Sequence, residues 1–235
     1  MPGRTDPGNP LRWPAVTHDG RPAEVRPGIW CWYVRHPEWH PPGFELVTSY
    51  ALRDDAGTLL IDPLVTDATL PELDRVCSGD VRIAITVPFH VRSAESLAER
   101  YGAPIYGHAG CRRRLERDDR FTAVRDGFAE PGGARFHGIG RPRRNELPVY
   151  VPAHGALVTG DALALPGGEL RVWEEPPRDE RRQRFYDERF LPSLVELADA
   201  TRPRHLLVTH GEPLLDDGDA QLRAAFARPP WWRHG

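Results

Sequence analysis

The feature that most constrains how this 235-residue chain folds is a change of rhythm at Asp62. Before it lie closely spaced β-branched and aromatic runs at 29–34 (IWCWYV), 44–52 (FELVTSYAL) and 58–61 (TLLI). The turn-rich HPEWHPPG and the tight DDAG separate them, which predicts a meander of antiparallel strands. After Asp62 strand and helix alternate: a helix over 67–77, a strand over 82–87, a helix over 93–101 capped by Ser93, a strand at 104–106 and a short helix over 109–117. A second set of strands is predicted at 121–124, 134–138, 147–151 and 156–159. A long helix over 180–200, a buried strand over 205–209 and a closing helix over 219–227 follow, with no repeat of 20–50 residues. A meander, βα units, further strands and a helix–strand–helix end call for two mixed sheets face to face with helices outside. That is a four-layer αββα sandwich of the α/β (α+β) class. Residues 1–27, rich in Pro, Gly and Arg, read as an extended arm before a single domain over 28–235.

Composition removes several chemistries. All 31 basic residues are Arg. Without a lysine amine there is no Walker A phosphate loop, no Schiff-base enzyme and no Ser-x-x-Lys nucleophile. A net charge of −3 gives no overall field for nucleic acid or anionic lipid. Three scattered cysteines, Cys31, Cys77 and Cys111, form no Cys-x-x-Cys pair, which argues against a disulfide framework or zinc ribbon and suits a reducing cytoplasm. The N-terminus lacks the apolar stretch of a signal peptide, and no run has the length of a membrane span. The expectation is a soluble, cytoplasmic protein without nucleic-acid or membrane partners.

Four pieces, in order, carry a resemblance. TSYALRDDAGTLLIDPLV (48–65) closes on Asp62, LAERYGAPIYGH spans 97–108, LVTGDAL spans 157–163, and HLLVTHGEP (205–213) ends a strand in His-Gly. Together they resemble the metallo-β-lactamase-fold hydrolases over roughly residues 28–228, which implies the same αββα sandwich. The resemblance also implies a metal site built from a T-H-x-H-x-D-H signature, a later His, a bridging Asp and a final His. Here the signature stretch reads TVPFHVRSAESL (86–97), with one histidine. Anchored on Thr86, the ligand slots hold Val87, Phe89, Val91 and Arg92. Anchored on the following helix, His90 takes the last His slot and Phe89 the Asp slot. The later His loop is replaced by GIGRPRRNEL (138–147), while Asp161 matches the bridging Asp and His210 the final His.

Under the second register His90, Asp161 and His210 belong to one metal site, with Asp161 also the candidate to orient a catalytic water. Two imidazoles and a carboxylate suit a single, weakly held Zn²⁺, Fe²⁺ or Mn²⁺ with open positions for water; the alternative is no metal at all. Asp161 capping a turn and His210 as a satisfied buried histidine are the plainer readings. Arginine offers another: Arg92, beside the lost ligands, and Arg141, Arg143 and Arg144, in the loop that lost its His, are candidates to bind an anionic small molecule, with Arg92 pairing Asp161. The expected function is a hydrolase of a small ester, thioester, lactone or phosphoester, or a degenerate member that binds an anion or serves as a scaffold. His36 and His40 are candidate pocket residues on an exposed loop, 174–184 reads as a solvated linker, and Trp231-Trp232 as an anchor for the tail or for a second subunit.

Overall fold

The computed structural model describes residues 20–37, 45–173 and 179–231. The first half of the chain builds a seven-stranded sheet whose spatial order follows the sequence. Its strands are β1 (Ala23–Arg26), β2 (Ile29–Arg35), β3 (Leu46–Asp54), β4 (Gly57–Ile61), β5 (Asp80–Ile85), β6 (Ile105–His108) and β7 (Phe121–Val124). Strands β1 to β4 pair antiparallel and β4 to β7 parallel, so the rhythm change at Asp62 is a change of pairing. Parallel neighbours need a crossover. Helices α1 (Leu70–Val76) and α2 (Ala94–Tyr101) supply the first two.

The second sheet has the order β13-β10-β9-β8, from β8 (Arg135–Phe136), β9 (Val149–Val151), β10 (Ala156–Thr159) and β13 (His205–Val208). A small hairpin, β11 (Leu163–Ala164) with β12 (Arg171–Val172), follows β10. Helices α3 (Glu180–Phe185), α4 (Leu191–Thr201) and α5 (Gly218–Phe226) complete this half.

Three apolar cores separate four layers, and the period-two alternation of the strands feeds them. Between the sheets pack Ile29, Cys31, Leu59 and Ile61 against Phe136, Val149, Val158 and Leu207. The opposite faces of the same strands, with Trp32, Leu60, Ile83 and Ile85, pack on Leu73 and Leu97 of α1 and α2. Leu157, Leu206 and Val208 pack on Leu194, Leu197 and Leu222 of α4 and α5. The expected αββα sandwich is what forms.

Several elements differ from the expectations. Strand 121–124 is not in the second sheet: β7 extends the first, parallel to β6, because its apolar pattern marks a strand but not its partner. Residues 23–26 of the expected arm are β1, paired with β2, while residues 1–19 lie outside the described residues. The long helix over 180–200 is interrupted by a π turn at Tyr186–Phe190. Pro192 has no N–H for the carbonyl of residue 188, and its ring crowds that carbonyl, so the ladder widens there. Ser93 precedes α2, but its hydroxyl makes no cap bond; it accepts from the Val65 N–H and ties the crossover down.

Candidate functional site

Because β4 and β5 run parallel, as do β10 and β13, four strands end along one edge of the sandwich. Side chains just past those ends meet there. Asp62 follows β4, Thr86 and His90 follow β5, Asp161 follows β10, and His210 follows β13. Cross-sheet bonds clamp this edge: the Thr48 N–H donates to Thr209 O (2.9 Å), the Leu147 N–H to Thr86 O (2.8 Å) and the Tyr50 hydroxyl to Val208 O (2.6 Å). Gly160 permits a close approach, since a Cβ there would lie 2.3 Å from Val87 Cγ2 and 2.6 Å from Thr86 Oγ1 and something would have to shift. The smallest residue lets the β10 end approach the β5 end and so brings Asp161 to His90.

The side chains form a chain of charge-assisted bonds. Asp62 is fully buried and accepts from the Thr86 N–H (2.8 Å), from the Thr86 hydroxyl and from His90 Nδ1 (2.8 Å). A carboxylate only accepts, so Nδ1 of His90 carries a proton and Nε2 points the other way. His90 Nε2 lies 3.1 Å from Asp161 Oδ1, and His210 Nε2 lies 3.1 Å from the same oxygen. Burial and the Arg92 charge work against protonating His90, but the carboxylates of Asp161 and Asp62 outweigh them and raise it to about 9. His210 is pushed down by burial. Burial also opposes the Asp161 charge, yet the two imidazoles hold its carboxyl well below the usual carboxylate range. Trp173 stands edge-on to His210 at 5.0 Å, and Trp231 edge-on to Trp173 at 5.1 Å.

Asp161, one third exposed, opens onto a cavity of about 1140 Å³. His90 and His210 lie buried behind it. The ligating atoms of His90, Asp161 and His210 all lie within 4.8 Å of one another. Zinc bonds of about 2.0–2.1 Å in tetrahedral array put neighbouring donors roughly 3.3 Å apart, close to the 3.1 Å of both Asp161 pairs. The Asp62 contact also matches the carboxylate that usually orients a metal-binding imidazole. The three donors as a set spread to within 4.8 Å, wider than the tetrahedral spacing, so they would have to close in to hold an ion; two imidazoles and a carboxylate are the donor types that could hold a divalent one.

The arginines divide. Arg143 and Arg144 line the cavity. Arg144 pairs Glu146 at 3.2 Å and lies over the Phe190 ring at 4.3 Å, and Arg143 lies 5.0 Å from the Phe185 ring centre. Arg92 does not line the cavity. Its Nη1 donates to the carbonyls of Asp62 (2.8 Å) and Thr48 (3.4 Å), and its backbone is left-handed at φ 44°. The groups in hydrogen-bond contact with Asp161 are the two imidazoles; Arg92 acts on it only through its charge. Arg141 lines a different depression, with Arg125 and Asp126. Of the remaining candidates, His36 is half-buried at the end of β2, and His40 and Trp232 lie outside the described residues.

Sequence reasoning missed three parts of this edge. Asp62 was visible only as a strand-closing residue, not as the partner of His90. Glu146 is buried and accepts from the N–H groups of Gly160 and Ala162 (3.1 and 3.0 Å), bracing the Asp161 turn. Arg181 and Arg182, in the segment read as a solvated linker, line the cavity.

This architecture has close structural counterparts. A β-lactamase domain protein from Burkholderia ambifaria superimposes with a TM-score of 0.59 at 21% identity, over 92% of this chain and 77% of that one. The fold is that of the metallo-β-lactamases. An archaeal metallo-β-lactamase superfamily protein from Sulfolobus tokodaii shares it at a TM-score of 0.60 and 18% identity, over 84% of each chain. So does the chemotaxis sensor ODP, solved as a peroxy diiron species, at 0.61 and 13%, over 90% of this chain and 96% of that one. No protein-family model matches the sequence, and no curated protein matches it. Within this metallo-β-lactamase fold, the side chains that meet are those of the register that puts His90 in the last His slot.

Proposed function

We propose that the chain is a metallo-β-lactamase-fold hydrolase working with at most one divalent ion, held by His90, Asp161 and His210, on an ester, thioester, lactone or phosphoester. The observation that carries this reading is the convergence of three donors from three separate strand ends within 4.8 Å, beside an open cavity. A divalent ion there supplies Lewis acidity and lowers the pKa of bound water. The protein's own part follows from its bonds. Asp62 fixes the His90 tautomer, so that Nε2 faces the site. Asp161 presents Oδ1 to both imidazoles and keeps Oδ2 without a partner among the described residues, placed to accept a hydrogen bond from water on the cavity side and orient it. Glu146 holds the Asp161 turn through two backbone N–H groups. Where the ODP structure is a diiron species, the described residues here gather three ligands, enough for one ion.

A second reading has its own support: His90 already bonds Asp62 and Asp161, and His210 already bonds Asp161, so these side chains are held together without an ion, as in a metal-free anion-binding or scaffold protein. Elemental analysis of untagged protein purified without chelator, followed by titration with Zn²⁺, Mn²⁺ and Fe²⁺, separates the two. One ion per chain, lost in His210→Ala and Asp161→Asn, supports the hydrolase. Failure of all three metals to bind supports the second reading, and two ions per chain overturn both.

A further inference from the structure

We infer that the cavity beside Asp161 takes a phosphate-bearing small molecule, a phosphate ester or phosphoanhydride joined to a planar or apolar group. This inference deepens the hydrolase reading by naming its substrate class. Six arginines line the cavity, from three separate segments: Arg113 and Arg114 end the turn after β6, Arg143 and Arg144 lie between β8 and β9, and Arg181 and Arg182 open α3. Three carboxylates share the lining, and each is already engaged. Glu146 accepts from two backbone N–H groups and Arg144, Asp161 from two imidazoles, and Asp179 from the Arg182 N–H. Arg113, Arg114, Arg143 and Arg181 form no ion pair among the described residues, unlike the paired surface arginines Arg75, Arg100 and Arg223.

A cationic cavity in a chain of net charge −3 is a local concentration of charge, not a consequence of composition. Its chemistry is specific as well. Phe89 is 65% exposed, with the Arg114 guanidinium 3.9 Å from its ring centre, and Phe185 carries Arg143 at 5.0 Å. Stacked guanidinium–aromatic pairs hold the forks in fixed planes, and a planar fork matches two phosphate oxygens. Exposed Phe89 and half-buried Trp173 offer apolar surface for the remainder of such a molecule. Four guanidiniums without an ion pair among the described residues suit more than one negative charge, and about 1140 Å³ exceeds what a lone inorganic ion would fill.

The test is calorimetric titration of metal-stripped, desalted protein with pyrophosphate, ADP, adenosine and succinate at low and high salt. Pyrophosphate and ADP are expected to bind, ADP more tightly, with affinity falling as salt rises. Adenosine and succinate are expected to bind at least about tenfold more weakly than ADP. The double variant Arg114→Gln/Arg143→Gln loses two ring contacts but no ion pair among the described residues, so it should melt within a few degrees of the parent while weakening ADP binding more than about tenfold. Arg75→Gln, on a distant exposed helix face, should leave it unchanged. Absence of ADP binding, succinate binding as tight as pyrophosphate, or full affinity in the double variant would overturn the inference. Because no metal is present in this titration, metal binding without ADP binding sinks only the inference, and ADP binding by a protein that takes up no metal sinks only the hydrolase reading.

Discussion

Replacing Asp62 by Ala probes the part of the edge that lies deepest. Its carboxylate is fully buried and serves three donors, the Thr86 N–H, the Thr86 hydroxyl and His90 Nδ1. Truncation to Ala leaves all three without an acceptor, and each stranded buried donor costs about 1–3 kcal/mol. The costs do not add fully, because the Thr86 hydroxyl can rotate and a water can enter the vacated space. Breaking a buried ionic contact by removing one partner typically costs about 3–5 kcal/mol, and that is the magnitude expected here. For a chain of this size, about 2–4 °C of melting temperature corresponds to 1 kcal/mol, so a drop of roughly 6–20 °C is predicted. The isosteric Asp62→Asn keeps one acceptor oxygen and should lose less than half as much. Divalent-ion affinity should fall about 10–100-fold in both variants, because His90 loses the partner that fixes its ring. Differential scanning calorimetry and metal titration read the two effects separately. An Asp62→Ala protein melting within about 2 °C of the parent would refute the reasoning, since it would mean that the three donors are satisfied without Asp62.

Three further outcomes follow from the same geometry. Arg92→Ala removes one of two donors to the Asp62 carbonyl, the Ser49 hydroxyl remaining, and should cost about 0.5–1.5 kcal/mol in a chemical melt, yet leave ADP affinity unchanged, because Arg92 does not line the cavity; weakened ADP binding would place Arg92 in the anion site after all. Gly160→Ala forces a Cβ to within 2.3 Å of Val87 and should destabilise by about 1–3 kcal/mol through overpacking, with reduced metal affinity as Asp161 moves; parent-like stability would show that the close approach is not required. In metal-free protein His90 is raised from 6.5 to about 9, so its charge stabilises the fold fully below pH 6.5 and that contribution disappears as pH rises through about 9. Denaturation measured from pH 6 to 10 should show that decline, smaller in His90→Gln, and an unchanged slope in the variant would remove His90 as its source.

Much of this edge was legible because each of its residues closes an apolar run. Asp62, Asp161 and His210 each follow a strand whose alternation is visible in the sequence, and parallel pairing brings such ends together whatever the detailed register. His90 was legible only through resemblance, since a lone histidine after Pro88-Phe89 carries no periodic signal. What stayed hidden depends on long-range placement. The Asp62–His90 bond requires knowing which way the imidazole turns, and the sheet membership of Phe121–Val124 depends on β6 as its partner. Arg92 shows the converse: it lies near the site, as its position in the sequence suggests, but its guanidinium bonds the main-chain carbonyls of Asp62 and Thr48 and does not pair Asp161. Arg181 and Arg182 looked like solvated linker charge because nothing local shows that the first turn of α3 faces a cavity.

The central claim is that His90, Asp161 and His210 form one site for one ion. Anomalous diffraction from crystals grown with Zn²⁺ or Mn²⁺ tests it most directly. The account predicts a single strong peak about 2.0–2.3 Å from His90 Nε2, His210 Nε2 and a carboxylate oxygen of Asp161, with no second peak within 4 Å. An edge without a peak, with the imidazoles still hydrogen-bonded to Asp161, or a pair of peaks bridged by that carboxylate, would contradict it.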